Sequence, residues 1–167
     1  MVTNAFSLRS AAFSHGSSIP ALHTADGLNL SPPLSWEGEP STTLSFALLM
    51  DDPDAPQGAW VHWLLFNIPA KVHNLPTGLP RSPALANGAV HGLCWGVRDW
   101  NRLGYQGPQP PTGAAHHYRF LLRALDTKLA LPAGCNLDAV ERASDGHVQA
   151  EAQLIGVYAH EPASMVL

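Results

Sequence analysis

Charge is scarce in this chain of 167 residues: Asp, Glu, Lys and Arg together make up 13%, against roughly 25% in an average soluble domain. Long solvent-facing helices, which need a charged face, are therefore disfavoured. Nine Lys and Arg against thirteen Asp and Glu give a net charge of -4, so there is no basic footprint for a nucleic-acid backbone. Cysteine is nearly absent. Cys94 and Cys135 stand in no C-x-x-C spacing, which argues against a zinc knuckle or a disulfide scaffold and fits a reducing compartment. No apolar stretch approaches the length of a membrane span, and residues 1–18 resemble no signal peptide, so a cytoplasmic location is expected. Several enzyme templates are missing too: no G-x-S-x-G elbow, no G-x-x-x-x-G-K-[ST] phosphate loop and no H-E-x-x-H zinc helix.

What the chain does contain is apolar residues (46%), five Trp, five Phe, 14 Gly and 15 Pro. That mixture predicts one folded domain over 1–167, built of short strands joined by many turns. The apolar runs at 44–50 and 60–68 read as buried strands. The alternation at 116–126 reads as a third strand, and 150–159 as a closing one. Residues 137–144 form the one convincing helix, opened by Asn136 as a cap. The Pro-Pro pair in 31–36 excludes helix and predicts a rigid loop, and most of 69–111 reads as loop, with short strands only near 89–93.

The candidate chemistry lies at strand ends. Asp52 and Asp54 are two apart, so in an extended segment both carboxylates project to one side; alternatively they bond their own backbone in a turn. His62 sits in an apolar strand with Trp60 and Leu64 on its face, either as a ligand-binding group or as a hydrogen-bonded core residue. His116 and Tyr118 share a strand face directly after the Gly/Pro segment 107–113. That segment either brings backbone amides to a small anion or is merely a tight turn. From this residue chemistry alone, acid–base hydrolysis with a bound metal is the rival to plain binding.

Five blocks together, Ser31-Pro32-Pro33-Leu34-Ser35-Trp36, Asp52-Pro53-Asp54-Ala55-Pro56, Trp60-Val61-His62-Trp63, Gly104-Tyr105-Gln106-Gly107-Pro108-Gln109-Pro110-Pro111 and His116-His117-Tyr118, resemble the phosphatidylethanolamine-binding protein family, also called Raf kinase inhibitor-like proteins, in its small bacterial branch. The resemblance implies a mostly antiparallel β fold with two packed sheets and one or two short C-terminal helices. It also implies a small cavity for phosphate-like anions or phospholipid head groups of the phosphoethanolamine type, lined by Asp52, Asp54, His62, Gly107, Pro108, Pro111, His116 and Tyr118. No catalytic turnover, metal or cofactor is implied. Kinase or protease partners and a homodimer are compatible with it, and it implies a cis Ala55–Pro56 bond. His117 stands where the family usually has Arg, and Arg98 and Asn101 replace an Asn and a Gly usual in their loop. With no Lys or Arg among the implied lining, His62 and His116 are expected to supply cationic charge to an anion as imidazolium.

Overall fold

The computed structural model describes residues 5–55, 60–94 and 102–160. The Ala55–Pro56 bond and positions Arg98 and Asn101 lie outside the described residues.

Apolar strands of near-uniform burial assemble the centre of the molecule. After β1 (Ser7–Arg9), a short 3-10 helix (Ala21–His23) and β2 (Leu34–Glu37) come the two long central strands, β3 (Ser45–Asp52) and β4 (Trp60–Pro69). Four two-residue strands follow: β5 (Asn74–Leu75), β6 (Val90–His91), β7 (Leu93–Cys94) and β8 (Arg102–Leu103). The chain closes with β9 (His116–Leu125), α1 (Leu137–Ser144) and β10 (Val148–Tyr158). The strands expected at 44–50, 60–68, 116–126 and 150–159 are therefore all present, and the helix matches residue for residue. The segment read as a rigid loop is one only through Pro33. Beyond it, buried Leu34 and Trp36 alternate with Ser35 and Glu37, and β2 pairs with both β1 and β5.

Five antiparallel strands form the main sheet in the order β10-β9-β3-β4-β6, while β1-β2-β5 form a second and β7-β8 a third. Every residue of β3 is buried, as a central strand covered on both faces requires. One face packs Phe46, Leu48 and Met50 against Leu8, Leu34 and Trp36 of the second sheet. The other packs Ala47, Leu49 and Phe66 under Leu129 and Val140, the latter from α1. This is the mostly β architecture of packed antiparallel sheets with a short C-terminal helix that the resemblance implies, with a small third sheet added. Asn136 caps α1 by accepting the Ala139 N–H at 2.9 Å, a contact worth about 1 kcal/mol.

Two irregularities in β4 decide which side chains reach which face. Phe46 pairs with Ile68 but Leu48 with Leu65, so β4 carries an extra residue near Asn67, which takes a left-handed backbone at φ 55. Asn67 is locked there by its own amide, which donates to the Leu129 carbonyl and accepts the Leu129 N–H, both at 2.8 Å. A second bulge falls at His62, because Met50 pairs with Trp63 while Asp51 pairs with Val61.

Candidate functional site

Antiparallel pairing places the end of β3 beside the beginnings of both β4 and β9, so three distant segments meet at one end of the main sheet. Asp52 lies across from Trp60, and Asp51 across from Val61 and Arg119. The bulge then corrects the expected face of His62. Leu64 packs in the core on the α1 side, whereas the His62 ring meets Tyr118 edge-on at 5.3 Å, and Tyr118 belongs to the opposite core. With strict alternation His62 and Leu64 would share a face; the extra residue separates them.

His116 and Asp52 form the centre of the cluster. The His116 Nδ1–H donates to Asp52 Oδ2 at 2.7 Å, with both side chains mostly buried. Asp52 Oδ1 accepts the Asp54 N–H at 2.9 Å, so the turn reading of this motif holds for Asp52 while its second oxygen reaches the site. Asp54 does not join it. Its carboxylate accepts the N–H of His117 at 2.8 Å and that residue's Nδ1–H at 2.9 Å, and these donors hold Asp54 below the usual carboxylate range. The turn after Asp52 commits the Asp54 carboxylate to His117, while its charge still reaches Tyr118.

Tyr118 lies between the two imidazoles, edge-on to His62 and near-parallel to His116 at 6.5 Å. It is fully buried, and its hydroxyl has no hydrogen-bond partner among the described residues. Burial, reinforced by the negative charge of Asp52 and Asp54, pushes its pKa up, so it stays a proton donor. His62 is held at two points by one residue: its Nδ1–H donates to the Gln106 carbonyl at 2.6 Å, and its own carbonyl accepts the Gln106 N–H at 2.9 Å. Desolvation holds the His62 imidazole below its ordinary range, outweighing the carbonyl of Gln106 and the carboxylates of Asp52 and Asp51. The expectation that His62 supplies imidazolium charge is thereby corrected: a ring this buried is neutral near pH 7.

The Gly/Pro segment serves as a wall more than as a row of free donors. The Gly107 N–H donates to Asn29 Oδ1 at 2.7 Å, and the Pro108 carbonyl accepts the Ala25 N–H at 3.0 Å. A Cβ on Gly107 would overlap the His23 carbonyl and the Asn29 side chain, so only glycine fits this crossing of two loops. The crossing is tightened by Arg81, which donates to the carbonyls of Tyr105 and Asn29, and by the Tyr105 hydroxyl, which donates to the His23 carbonyl at 2.6 Å. Gly107 and Pro108 are buried next to Gln106 and thus hold up His62, whereas Pro111 is exposed. Just upstream, buried Cys94 points its thiol at the carbonyls of Arg102 and Gly104, and burial pushes its pKa up to about 11.

His117, at the position usual for Arg, is occupied by Asp54. The guanidinium comes instead from Arg119, which grips the buried Asp51 carboxylate with two bonds of 3.0 and 2.7 Å. The sequence reading missed a second group beside His116. Tyr158 lies opposite His116 in the β9–β10 register, and its hydroxyl donates to Asp26 Oδ2 at 2.6 Å, which also accepts from His160 Nδ1 at 2.8 Å. Both donors hold Asp26 below the usual carboxylate range. These three residues, with Ile19, Ala115 and Val157, line an open cavity of about 630 Å³ that none of the eight sequence-derived candidates lines. Only the pairing register, which no local pattern encodes, could have joined Tyr158 to His116. Among the described residues, no group of three or more His, Cys, Asp or Glu is placed to hold a metal ion, and no helix is long and apolar enough to cross a membrane.

The comparison with known proteins agrees with this geometry. A protein from Methanothermobacter thermautotrophicus, described only as UPF0098 protein, is 46% identical over 90% of this chain and 97% of its own. One of the same description from Aquifex aeolicus is 40% identical over 89% of this chain and 85% of its own. Two crystal structures superpose closely. The Chlamydia trachomatis homologue of phosphatidylethanolamine-binding protein has a TM-score of 0.84 at 36% identity, covering 95% of this chain and 99% of that one. Escherichia coli YbcL, described as a member of the mammalian PEBP family, has a TM-score of 0.85 at 33% identity, covering 95% of this chain and 100% of that one. The family model for phosphatidylethanolamine-binding protein matches residues 9–159; with its strand-end cluster and mostly antiparallel β fold, the chain belongs to the phosphatidylethanolamine-binding protein family.

Proposed function

We propose that this protein binds a small phosphate-bearing ligand of the phosphoethanolamine head-group type, without turning it over. The observation that carries this reading is the Tyr118 hydroxyl, buried beside His116 and His62 without a partner among the described residues. A buried hydroxyl left unpaired costs about 1–3 kcal/mol, a cost that a bound oxygen accepting its proton would remove. In this reading His116, oriented by Asp52, and Tyr118 face the ligand, His62 bounds it, and the wall formed by Gly107 and Pro108 keeps His62 in place.

Calorimetric titration of the purified chain with phosphoethanolamine tests it. Saturable one-to-one binding is expected, weakened about tenfold or more (~1.4 kcal/mol) by Tyr118→Phe and by His116→Gln. Absence of binding, or equal affinity in both variants, would overturn the reading.

A further inference from the structure

The two-point clasp on His62 fixes more than its position. The Gln106 carbonyl can only accept, so the ring nitrogen 2.6 Å from it must carry the hydrogen. A neutral ring with its hydrogen on Nδ1 presents a bare lone pair at Nε2. No other described residue donates a hydrogen bond to that nitrogen, although the residue is 7% exposed. An oxyanion without a proton would there meet lone pair against lone pair beside the carboxylates of Asp51 and Asp52. Tyr118 offers the opposite polarity, a hydroxyl that can donate, in edge-on contact with the same ring.

We propose that the cluster of His62, His116 and Tyr118 selects a ligand bringing its own proton: the monoanion of a phosphate monoester, whose P–OH donates to His62 Nε2 while a second oxygen accepts from Tyr118. His62 is then a specificity-determining residue that discriminates by hydrogen-bond polarity, against phosphodiesters and sulfate and in favour of monoesters. The inference rests on the binding reading above and deepens it. The groups that act on His62 are the carboxylates of Asp52 and Asp51 from β3, Tyr118 from β9, and the backbone of Gln106 and Gly107 from the loop. The carboxylates and carbonyl favour a proton on the ring, and burial opposes it with the larger effect. Burial thus favours the bare nitrogen over an imidazolium.

The test compares probes of known protonation by calorimetry from pH 6 to pH 8. Methyl phosphate carries one negative charge and a P–OH as its monoanion, dimethyl phosphate carries one negative charge and no P–OH, and sulfate is a compact aprotic control. Methyl phosphate is expected to bind at least about tenfold more tightly than either aprotic probe at pH 6, the equivalent of one lost hydrogen bond to a buried partner. Its affinity should fall about tenfold for each pH unit above its second ionisation near 6. In His62→Gln, whose amide can donate as well as accept, the gap to sulfate should close. Nitrogen-15 NMR of the unaltered protein provides a check that does not depend on a buried substitution being tolerated, with the His62 hydrogen expected on Nδ1. Free phosphate and a monoester share this chemistry. Inorganic phosphate run beside methyl phosphate separates them, since tighter methyl phosphate assigns the ester and equal binding the free ion, and either retains the proton requirement.

Equal affinity for methyl phosphate, dimethyl phosphate and sulfate, or a hydrogen found on His62 Nε2, overturns the proton requirement and leaves the binding reading standing. No heat from any probe overturns both.

Discussion

Two buried histidines stand within reach of the same strand and have opposite fates. His91 in β6 has both ring nitrogens engaged: Nδ1–H donates to the Ser82 carbonyl at 2.7 Å, and Nε2 accepts the Trp63 indole N–H at 3.1 Å. His62, the residue just before Trp63, has one nitrogen clasped by Gln106 and no hydrogen bond to the other from any described residue. Burial depresses the pKa of both. The difference teaches how a core histidine is told from a site histidine: neither burial nor titration separates them, and the count of satisfied ring nitrogens does.

Removing each ring should break the comparison most visibly. His91→Ala leaves a cavity and orphans the Trp63 indole and the Ser82 carbonyl, so urea denaturation should show a loss of about 3–5 kcal/mol. His62→Gln should cost less than half of that while changing ligand binding. Equal destabilisation by the two substitutions would show that His62 is an ordinary core residue.

Acid titrates both rings. Their folded pKa values lie below the ordinary value near 6.5, so the unfolded chain binds more protons as pH falls. Their stability contribution is fully present above about pH 6.5 and is lost as pH drops from there through the folded pKa values. The slope should approach about 1.4 kcal/mol per pH unit for each ring. Denaturation midpoints between pH 5 and pH 7.5 should flatten by one proton's worth in a folded His91 variant. An unchanged slope would contradict the buried neutral ring.

The two buried tyrosines repeat the contrast on a smaller scale. Tyr105→Phe loses a bond to the His23 carbonyl and should cost about 1 kcal/mol. Tyr118→Phe loses no bond within the protein and should leave thermal stability unchanged or slightly raised, while phosphoethanolamine affinity falls. A clear destabilisation by Tyr118→Phe would mean that the hydroxyl is satisfied within the folded chain.

Much of this was legible in the sequence because the long elements have strong periods. The apolar runs locate β3, β4 and β9, and Asn136 marks the start of α1. Asp52, His62, His116 and Tyr118 could be named because they sit at the ends of those strands, and antiparallel pairing then collects them. What could not be read was register. The bulge at His62 depends on two strands counting differently, so alternation within β4 alone assigns the wrong neighbours. Asp52 and Asp54 are open to two readings in the sequence, and the carboxylate of Asp52, by bonding the Asp54 N–H, decides for the turn. Asp26, Tyr158 and His160 come from opposite ends of the chain, and no spacing within either segment ties them together.

Cys94 gives this architecture a clock. Its thiol is sealed under the carbonyls of Arg102 and Gly104, two residues before the Gln106 peptide that clasps His62. An alkylating reagent reaches a sulfur so buried and so weakly ionised only when the β7–β8 segment opens. In a chain carrying Cys135→Ser, the rate of Cys94 labelling therefore measures how often that segment, and the clasp beside it, lets go. A ligand seated against His62 should slow that rate in proportion to its occupancy, so the protein carries its own reporter of whether ligand is bound there.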